Sequence, residues 1–287
     1  VKLFSPAKIN LGLRLLRRRS DGYHEIESFF HTLDWGDEIE LEPAETLSLE
    51  LEIASDAPLP ELCRSIPVDE KNLAWRAAAA ALDAAGRSGV TIKLLKRIPP
   101  GAGLGGGSSN AAVVVQGVLD LYRCELPRSD VNAMAAGIGA DVPFFLEGGC
   151  ALVEGIGERV MSLPSLTAVP CLLILHPFPV STAEAYERAN YTLTRDPLFG
   201  HYLNSHGEFG SILSRAPLTN DLQEAVTDAH PEIAASLAAL AYCGATYVSM
   251  TGSGSAVYGL FDSEEKAHRA GQTISVSGGR IVETALR

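Results

Sequence analysis

Cysteine is sparse in this 287-residue chain: Cys63, Cys124, Cys150, Cys171 and Cys243 are scattered, odd in number and never in C-x-x-C spacing. That excludes a disulfide framework and a zinc-finger type site, and it fits a reducing cytoplasm. No apolar run approaches the roughly 18 residues that a membrane-spanning helix needs. The first residues also lack the basic, apolar, small-residue order of a signal peptide. Positive charge is short as well. With 23 Lys and Arg against 35 Asp and Glu the formal net charge is -12, which argues against nucleic acid or an anionic membrane as partner. The local exception is Arg14, Arg17, Arg18 and Arg19, readable as a solvated strand end or as a face for a phosphorylated ligand.

What is there is an ordinary globular composition, 46% hydrophobic and 20% charged, in a chain long enough for two cores. The first third alternates as strands do, at Ile9, Leu11, Leu13 and Leu15, at Ile39 and Leu41, and at Leu47, Leu49, Leu51 and Ile53, with Asp21-Gly22 as a hairpin turn. From Asn72 the alanine-rich stretch 73–85 reads as a helix stopped by Gly86. A strand at 90–98 follows, then a glycine loop with its helix, a helix at 129–138, and short strands at 144–146, 151–154 and 159–161. The break at Leu163-Pro164-Ser165 divides the chain into domains 1–163 and 164–287. The second reads β-α-α-β-α-β: a strand at 171–175, a helix at 182–189, helix over 222–240 interrupted at Pro231, a strand, a helix and a last strand at 280–282. That order predicts an α+β domain with helices on a sheet.

The stretch Pro99-Pro100-Gly101-Ala102-Gly103-Leu104-Gly105-Gly106-Gly107-Ser108-Ser109-Asn110 combines glycine density, hydroxyls and an immediate helix. Glycines let successive N–H groups converge on one anion, and the helix adds its positive end. Val115, Val118, Leu119 and Tyr122 give that helix one buried stripe, and Ser108, Ser109 or Asn110 is expected to cap it. The usual P-loop is absent because no lysine follows Gly107. A dinucleotide fingerprint matches at Gly101, Gly103 and Gly106, but Pro99-Pro100 interrupts the strand and no second strand ends in an acidic residue at the required distance. A second glycine loop stands at Thr251-Gly252-Ser253-Gly254-Ser255.

Ser5-Pro6-Ala7-Lys8-Ile9-Asn10-Leu11, the loop from 99 to 110 and Met250-Thr251-Gly252-Ser253-Gly254-Ser255-Ala256 together resemble, in order and spacing, the three signature motifs of the GHMP kinases. The resemblance covers nearly the whole chain and implies a ribosomal-S5-like N-terminal domain and a ferredoxin-like C-terminal domain. Two further segments, 21–28 and 139–145, resemble the branch of the family whose acceptor is cytidine-diphosphate-linked methylerythritol, on the non-mevalonate route to isoprenoid precursors. The activity implied is ATP-dependent phosphorylation of a hydroxyl on that small molecule, with Mg²⁺ bridging phosphates. No protein ligand to the metal is assigned, and the oligomeric state is open.

The residues alone leave Asp141 open between a catalytic base and a turn cap. The resemblance makes it the base. Lys8, in an apolar strand pattern, needs a partner if buried or else snorkels; the resemblance pairs it with Asp141. ATP is expected along Pro99, Pro100, Gly101, Ala102, Gly103, Leu104, Gly105, Gly106, Gly107, Ser108 and Ser109, with Asn72, also a plausible helix N-cap, near the adenine. For the acceptor, the resemblance implies cytosine stacked between Tyr23 and Tyr186 and read by His24, with Asn10 and Thr182 on the erythritol diphosphate portion. Bland readings stand beside these: hairpin packing for Tyr23 and His24, and helix core for Tyr186. Residues 191–216 match no motif, leaving a lid or packing role for Tyr202 and Phe209 open. Competing functions are a homoserine- or mevalonate-type kinase of the same fold, a catalytically inactive nucleotide sensor and, most distant, a dehydrogenase.

Overall fold

A computed structural model describes residues 1–166, 168–189 and 218–287; Tyr202, Phe209 and the rest of the unmatched stretch 191–216 lie outside them. The chain forms two compact units whose residues interleave along the sequence.

One unit comprises residues 1–7, 35–100 and 105–148. It takes the start of β1 (Lys2–Arg18) and the end of β2 (His24–Pro43), with β3 (Ser48–Ile53) and β4 (Val90–Lys96). β4 pairs antiparallel with residues 38–43 of β2 and parallel with β3. Its helices are α1 (Pro60–Cys63), α2 (Leu73–Ala85), α3 (Gly106–Leu121), α4 (Arg128–Ile138) and α5 (Val142–Phe145). Alanine at 74, 77, 78 and 81 keeps the buried face of α2 thin, which lets it pack closely on α3. Gly117 lets α3 approach the strands as closely: a Cβ there would stand 2.6 Å from Leu3 of β1 and Leu41 of β2. Gly86 stops α2 in the left-handed conformation, as its sequence position predicts.

The second unit comprises residues 8–34, 101–104 and 149–287. β1 and β2 turn at residues 20–22, and residues 26–31 of β2 pair antiparallel with β5 (Cys150–Gly155), which pairs with β6 (Arg159–Leu163). A separate antiparallel sheet has the order β10 (Arg280–Ala285), β7 (Pro170–Leu175), β9 (Val257–Leu260), β8 (Tyr247–Met250). Numbered within the domain that is 4-1-3-2, the ferredoxin-like arrangement. Leu172 and Ile174, on one face of β7, share a core with Ile233 and Leu240 of α8 (Pro231–Tyr242) and Ala267 and Ala270 of α9 (Glu264–Thr273). α6 (Thr182–Arg188) and α7 (Gln223–Ala229) add Ala185 and Val226 to it.

Two local expectations are corrected and one open reading is decided. Residues 144–146 are not a strand but belong to the α5 turn and its C-cap, since Pro143 at the second helical position has no N–H for a ladder. β9 was absent from the expected order because all four of its residues are buried, so no alternation marks it. In β1 the alternating apolar residues are buried as expected, but so are Lys8, Asn10 and Arg14 between them. Polar groups that deep require partners.

Candidate active site

In the second unit, residues 101–104 are held by every carbonyl in turn. Val180 N–H donates to Gly101 O at 3.2 Å, Ala256 N–H to Ala102 O at 3.2 Å, Thr251 Oγ1 to Gly103 O at 3.1 Å and Lys8 N–H to Leu104 O at 3.0 Å. Among the described residues, none of the N–H groups of residues 101–105 donates a hydrogen bond. Gly101, Gly103 and Gly105 take φ of +67°, +75° and +69°, the region where a Cβ is costly. Gly103 is fixed twice over, because a Cβ there would stand 2.0 Å from Thr251 O. Carbonyls tied down and N–H groups unspent are the arrangement an anion cradle needs.

In the first unit, α3 starts at Gly106 with Gly105 as N-cap and no side-chain cap. The expectation that Ser108, Ser109 or Asn110 caps it is therefore corrected. Ser109 and Asn110 lie inside the helix and are buried; Ser109 Oγ accepts from Ser5 Oγ at 2.8 Å. An uncapped N-terminus keeps its first N–H groups and its partial positive charge for another acceptor. Asn72 is the N-cap of α2: its Oδ1 accepts from Ala74 N–H at 2.9 Å and its Nδ2 donates to Pro67 O at 2.7 Å. Asp141 precedes α5 but its carboxylate makes no capping bond.

Lys8 is 3% exposed. Its ammonium donates to Asn10 Oδ1 at 2.6 Å and lies 4.4 Å from the Phe30 ring centre, a polar and a π partner for a desolvated cation. Asn10 is spent on the protein: Nδ2 donates to Ser28 Oγ at 2.9 Å, the backbone N–H donates to Thr251 Oγ1, and Tyr258 donates to its carbonyl. Burial raises the Tyr258 phenol far above its ordinary value, so it stays a donor.

His24 and Tyr186 stack, ring centres 5.1 Å apart and planes 22° from parallel. Burial, then the nearby Arg18, lowers the His24 pKa, favouring neutral imidazole. Tyr23 is 61% exposed, after an Asx turn in which its N–H donates to Asp21 Oδ1. Thr182, first residue of α6, has its hydroxyl 3.1 Å from Ser253 Oγ. The arginine cluster divides: Arg17 pairs with Glu25 and Arg19 with Asp21, whereas Arg14 is buried.

One unit thus gathers Lys8, Asn10, Gly101, Ala102, Gly103, Leu104 and Thr251, and in it His24 meets Tyr186 and Thr182 meets Ser253. Asp141, Asn72, Pro99, Pro100 and residues 105–109 belong to the other. Sequence reasoning passed over Ser28, the buried Asp37 and Lys96, and Asn220, whose Nδ2 donates to Met250 O and Gly252 O at 2.8 Å each and so braces the second glycine loop. The available signal for Asp37 and Lys96 was register: Asp37 shares the inward face of its strand with Ile39 and Leu41, and Lys96 with Ile92 and Leu94.

Two family models match the chain: GHMP kinases N terminal domain over residues 72–149 and GHMP kinases C terminal over 198–275. A protein of Chlorobium limicola named 4-diphosphocytidyl-2-C-methyl-D-erythritol kinase is 38% identical, covering 99% of this chain and 96% of the relative. One of the same name from Deinococcus radiodurans is also 38% identical, covering 95% and 88%. A crystal structure of 4-(cytidine 5'-diphospho)-2C-methyl-D-erythritol kinase superposes with a TM-score of 0.81 at 34% identity, covering 100% of this chain and 99% of that one.

Proposed function

The chain belongs to the GHMP kinase family, and from that premise we propose that it transfers the γ-phosphoryl group of ATP to the 2-hydroxyl of 4-diphosphocytidyl-2-C-methyl-D-erythritol, serving isoprenoid precursor synthesis by the non-mevalonate route. The relatives and the solved structure that carry this name align over nearly their full lengths. The observation that carries the kinase reading is the loop: four consecutive carbonyls of residues 101–104 engaged by protein, their N–H groups not, and an uncapped helix following.

Phosphoryl transfer asks the protein for position, charge stabilisation and a proton acceptor. The segment 99–109 supplies position, through the N–H groups of residues 101–105 and the start of α3. Asp141 is the group we assign to take the hydroxyl proton, on its place in the motif Gly139-Ala140-Asp141-Val142-Pro143. Lys8, desolvated and oriented by Asn10, supplies positive charge to the developing alkoxide. Asn72 is placed near the adenine by motif position alone, its side chain being committed to its cap. Tyr23, His24 and Tyr186 form the cytosine subsite in this reading, supported by the His24–Tyr186 stack. Thr182 and Asn10 border the erythritol diphosphate portion, Asn10 acting through Lys8.

Among the described residues no group of three His, Cys, Asp or Glu side chains is placed to hold a metal. A hard cation carried by phosphate oxygens and water suits that donor set, with the Ser108 hydroxyl the available protein oxygen, since Ser109 is committed to Ser5. Bound there, Mg²⁺ would neutralise phosphate charge. We further propose 1–163 and 164–287 as the two family domains; each family match lies on its own side of that boundary. The reducing cytoplasm is the compartment proposed, supported by five cysteines standing as free thiols.

The test is a coupled ADP-release assay with four acceptors: the cytidine compound, methylerythritol phosphate, homoserine and mevalonate. Release with the cytidine compound well above the others is expected. Preference for homoserine or mevalonate would move the chain to another branch of the family, and ATP binding without release in any case would favour the inactive sensor.

A further inference from the structure

Asp37 is fully buried near the middle of β2, and its two carboxylate oxygens face in two directions. Oδ1 accepts from the backbone N–H groups of Arg97 at 2.7 Å and Ile98 at 2.9 Å. Oδ2 accepts from Asn110 Nδ2 at 2.9 Å and from Lys96 Nζ. Residues 96–98 run into the glycine loop and Asn110 stands in the first turns of the helix that leaves it. Further bonds tie the same helix: Lys96 Nζ donates to Asn110 Oδ1 at 3.3 Å, Asn110 Nδ2 to Ser5 Oγ at 2.8 Å, and Ser5 Oγ to Ser109 Oγ. The approach is close. A Cβ on Gly106 would stand 3.0 Å from Lys96 Nζ and 2.8 Å from Ile98 Cγ2.

We propose that Asp37, with Lys96 as its counter-ion, is a positioning residue that fixes both ends of the phosphate-binding loop and so sets affinity for ATP. This rests on the reading of residues 99–109 as that loop. Stability alone is a poor reason for such a group, because a buried ion pair is often matched or bettered by apolar side chains of similar volume. What no apolar residue can do is accept two N–H groups from the strand before the loop while holding the helix after it. Lys96 has its own part: Asp37 unneutralised beneath the start of α3 would repel an anion bound at that helix end.

Two double variants separate positioning from bulk stability, since both remove the buried charges together. In Asp37→Asn with Lys96→Met, the introduced carboxamide oxygen still accepts from Arg97 and Ile98, and the Asn110 carboxamide, released by Lys96, turns over so that its Oδ1 accepts from the introduced nitrogen and from the Ser5 hydroxyl. In Asp37→Ala with Lys96→Met, both loop ends lose their acceptor. Calorimetric titration with the non-hydrolysable β,γ-imido analogue of ATP, and KM for ATP and for the acceptor, are measured on folded protein. The Ala/Met variant is expected to bind the analogue at least about tenfold more weakly, with KM for ATP rising in step and acceptor KM within about twofold, while the Asn/Met variant stays within about threefold of wild type. Wild-type affinity in the Ala/Met variant, or equal losses for both substrates, overturns the proposal. If the unmodified protein does not bind the analogue, the kinase reading itself falls, and the positioning role with it.

Discussion

The Lys8 ammonium sits 2.6 Å from the carboxamide oxygen of Asn10, two residues along the same strand, on the side chain that the Thr251 hydroxyl also reaches at 3.2 Å. A lysine and an asparagine two apart share one face of a strand, so the first motif builds its own cation holder. Asn10→Ala is expected to lower kcat by about 10- to 100-fold, and Lys8→Met by about 10²- to 10³-fold, the range for losing a group aimed at developing charge. If Asn10 acts through Lys8, the double variant loses no more than Lys8→Met alone. Steady-state kinetics on the three proteins decide this; additive losses would give Asn10 a role of its own.

Asp141→Asn is expected to leave ATP affinity nearly unchanged and to lower turnover by about 10²- to 10⁴-fold, the contribution of a positioned general base. Single-turnover measurements would isolate the chemical step. Wild-type kcat in the variant removes Asp141 from the mechanism.

The loop predicts opposite behaviour for two of its glycines. Gly103 has positive φ and no room for a Cβ, so Gly103→Ala should lower both thermal stability and affinity for ATP. Gly107 lies within α3, where a Cβ would meet only Leu73 at 3.6 Å. Gly107→Ala should fold at least as well, with a gain of up to about 1 kcal/mol from helix propensity. Melting curves and nucleotide titration on both variants test the contrast, and equal destabilisation would refute it.

Much of this was legible in the sequence because it depends on local chemistry. Asn72 and Gly86 bound α2 as capping rules predict, and Asp21-Gly22 turns the first hairpin. What was not legible depends on partners distant in the chain. Ser109 and Asn110 have good capping side chains, but Ser5, Asp37 and Lys96 compete for them and win. β9 hides because burial on both faces erases its alternation. Asp37 gives no local sign that Arg97 and Ile98, about sixty residues on, will bind it.

Stability should fall on mild acidification through His31. This ring is fully buried; Nδ1 donates to Thr32 O at 2.9 Å, and Nε2 accepts from Leu166 N–H at 3.0 Å. That donor fixes the neutral form, and burial holds the pKa below the ordinary value. A histidine depressed in the folded state binds its proton more readily when unfolded, so its contribution is intact above the unfolded pKa of about 6.5 and is lost as pH falls below it. Urea midpoints at pH 7.5 and 5.5 should differ in wild type and differ less in His31→Gln, whose amide oxygen keeps an acceptor for Leu166. Equal pH dependence in both proteins would assign the effect elsewhere, with His176, also depressed by burial, the next group to test.

Specificity is where the assignment is most exposed. Tyr186 already lies against the His24 ring, and Tyr23 is largely exposed beside it in sequence. Cytosine offers a flat face and a hydrogen-bonding edge, and a neutral imidazole offers one donor and one acceptor. Stacking is worth roughly 1–3 kcal/mol per base, and binding energy from so remote a group can be used to orient the reacting hydroxyl. Methylerythritol phosphate, lacking the base, should therefore lose kcat as well as KM. Tyr186→Ala should weaken the cytidine acceptor by about 5- to 150-fold, the same stacking range expressed as a ratio, and leave KM for ATP unchanged. His24→Phe keeps a ring against Tyr186 while removing the edge reader, so it should admit uridine- and cytidine-linked acceptors more evenly than wild type. Should Tyr186→Ala raise both KM values alike, or the truncated acceptor compete on equal terms, the aromatic pair is packing and the cytidine assignment fails.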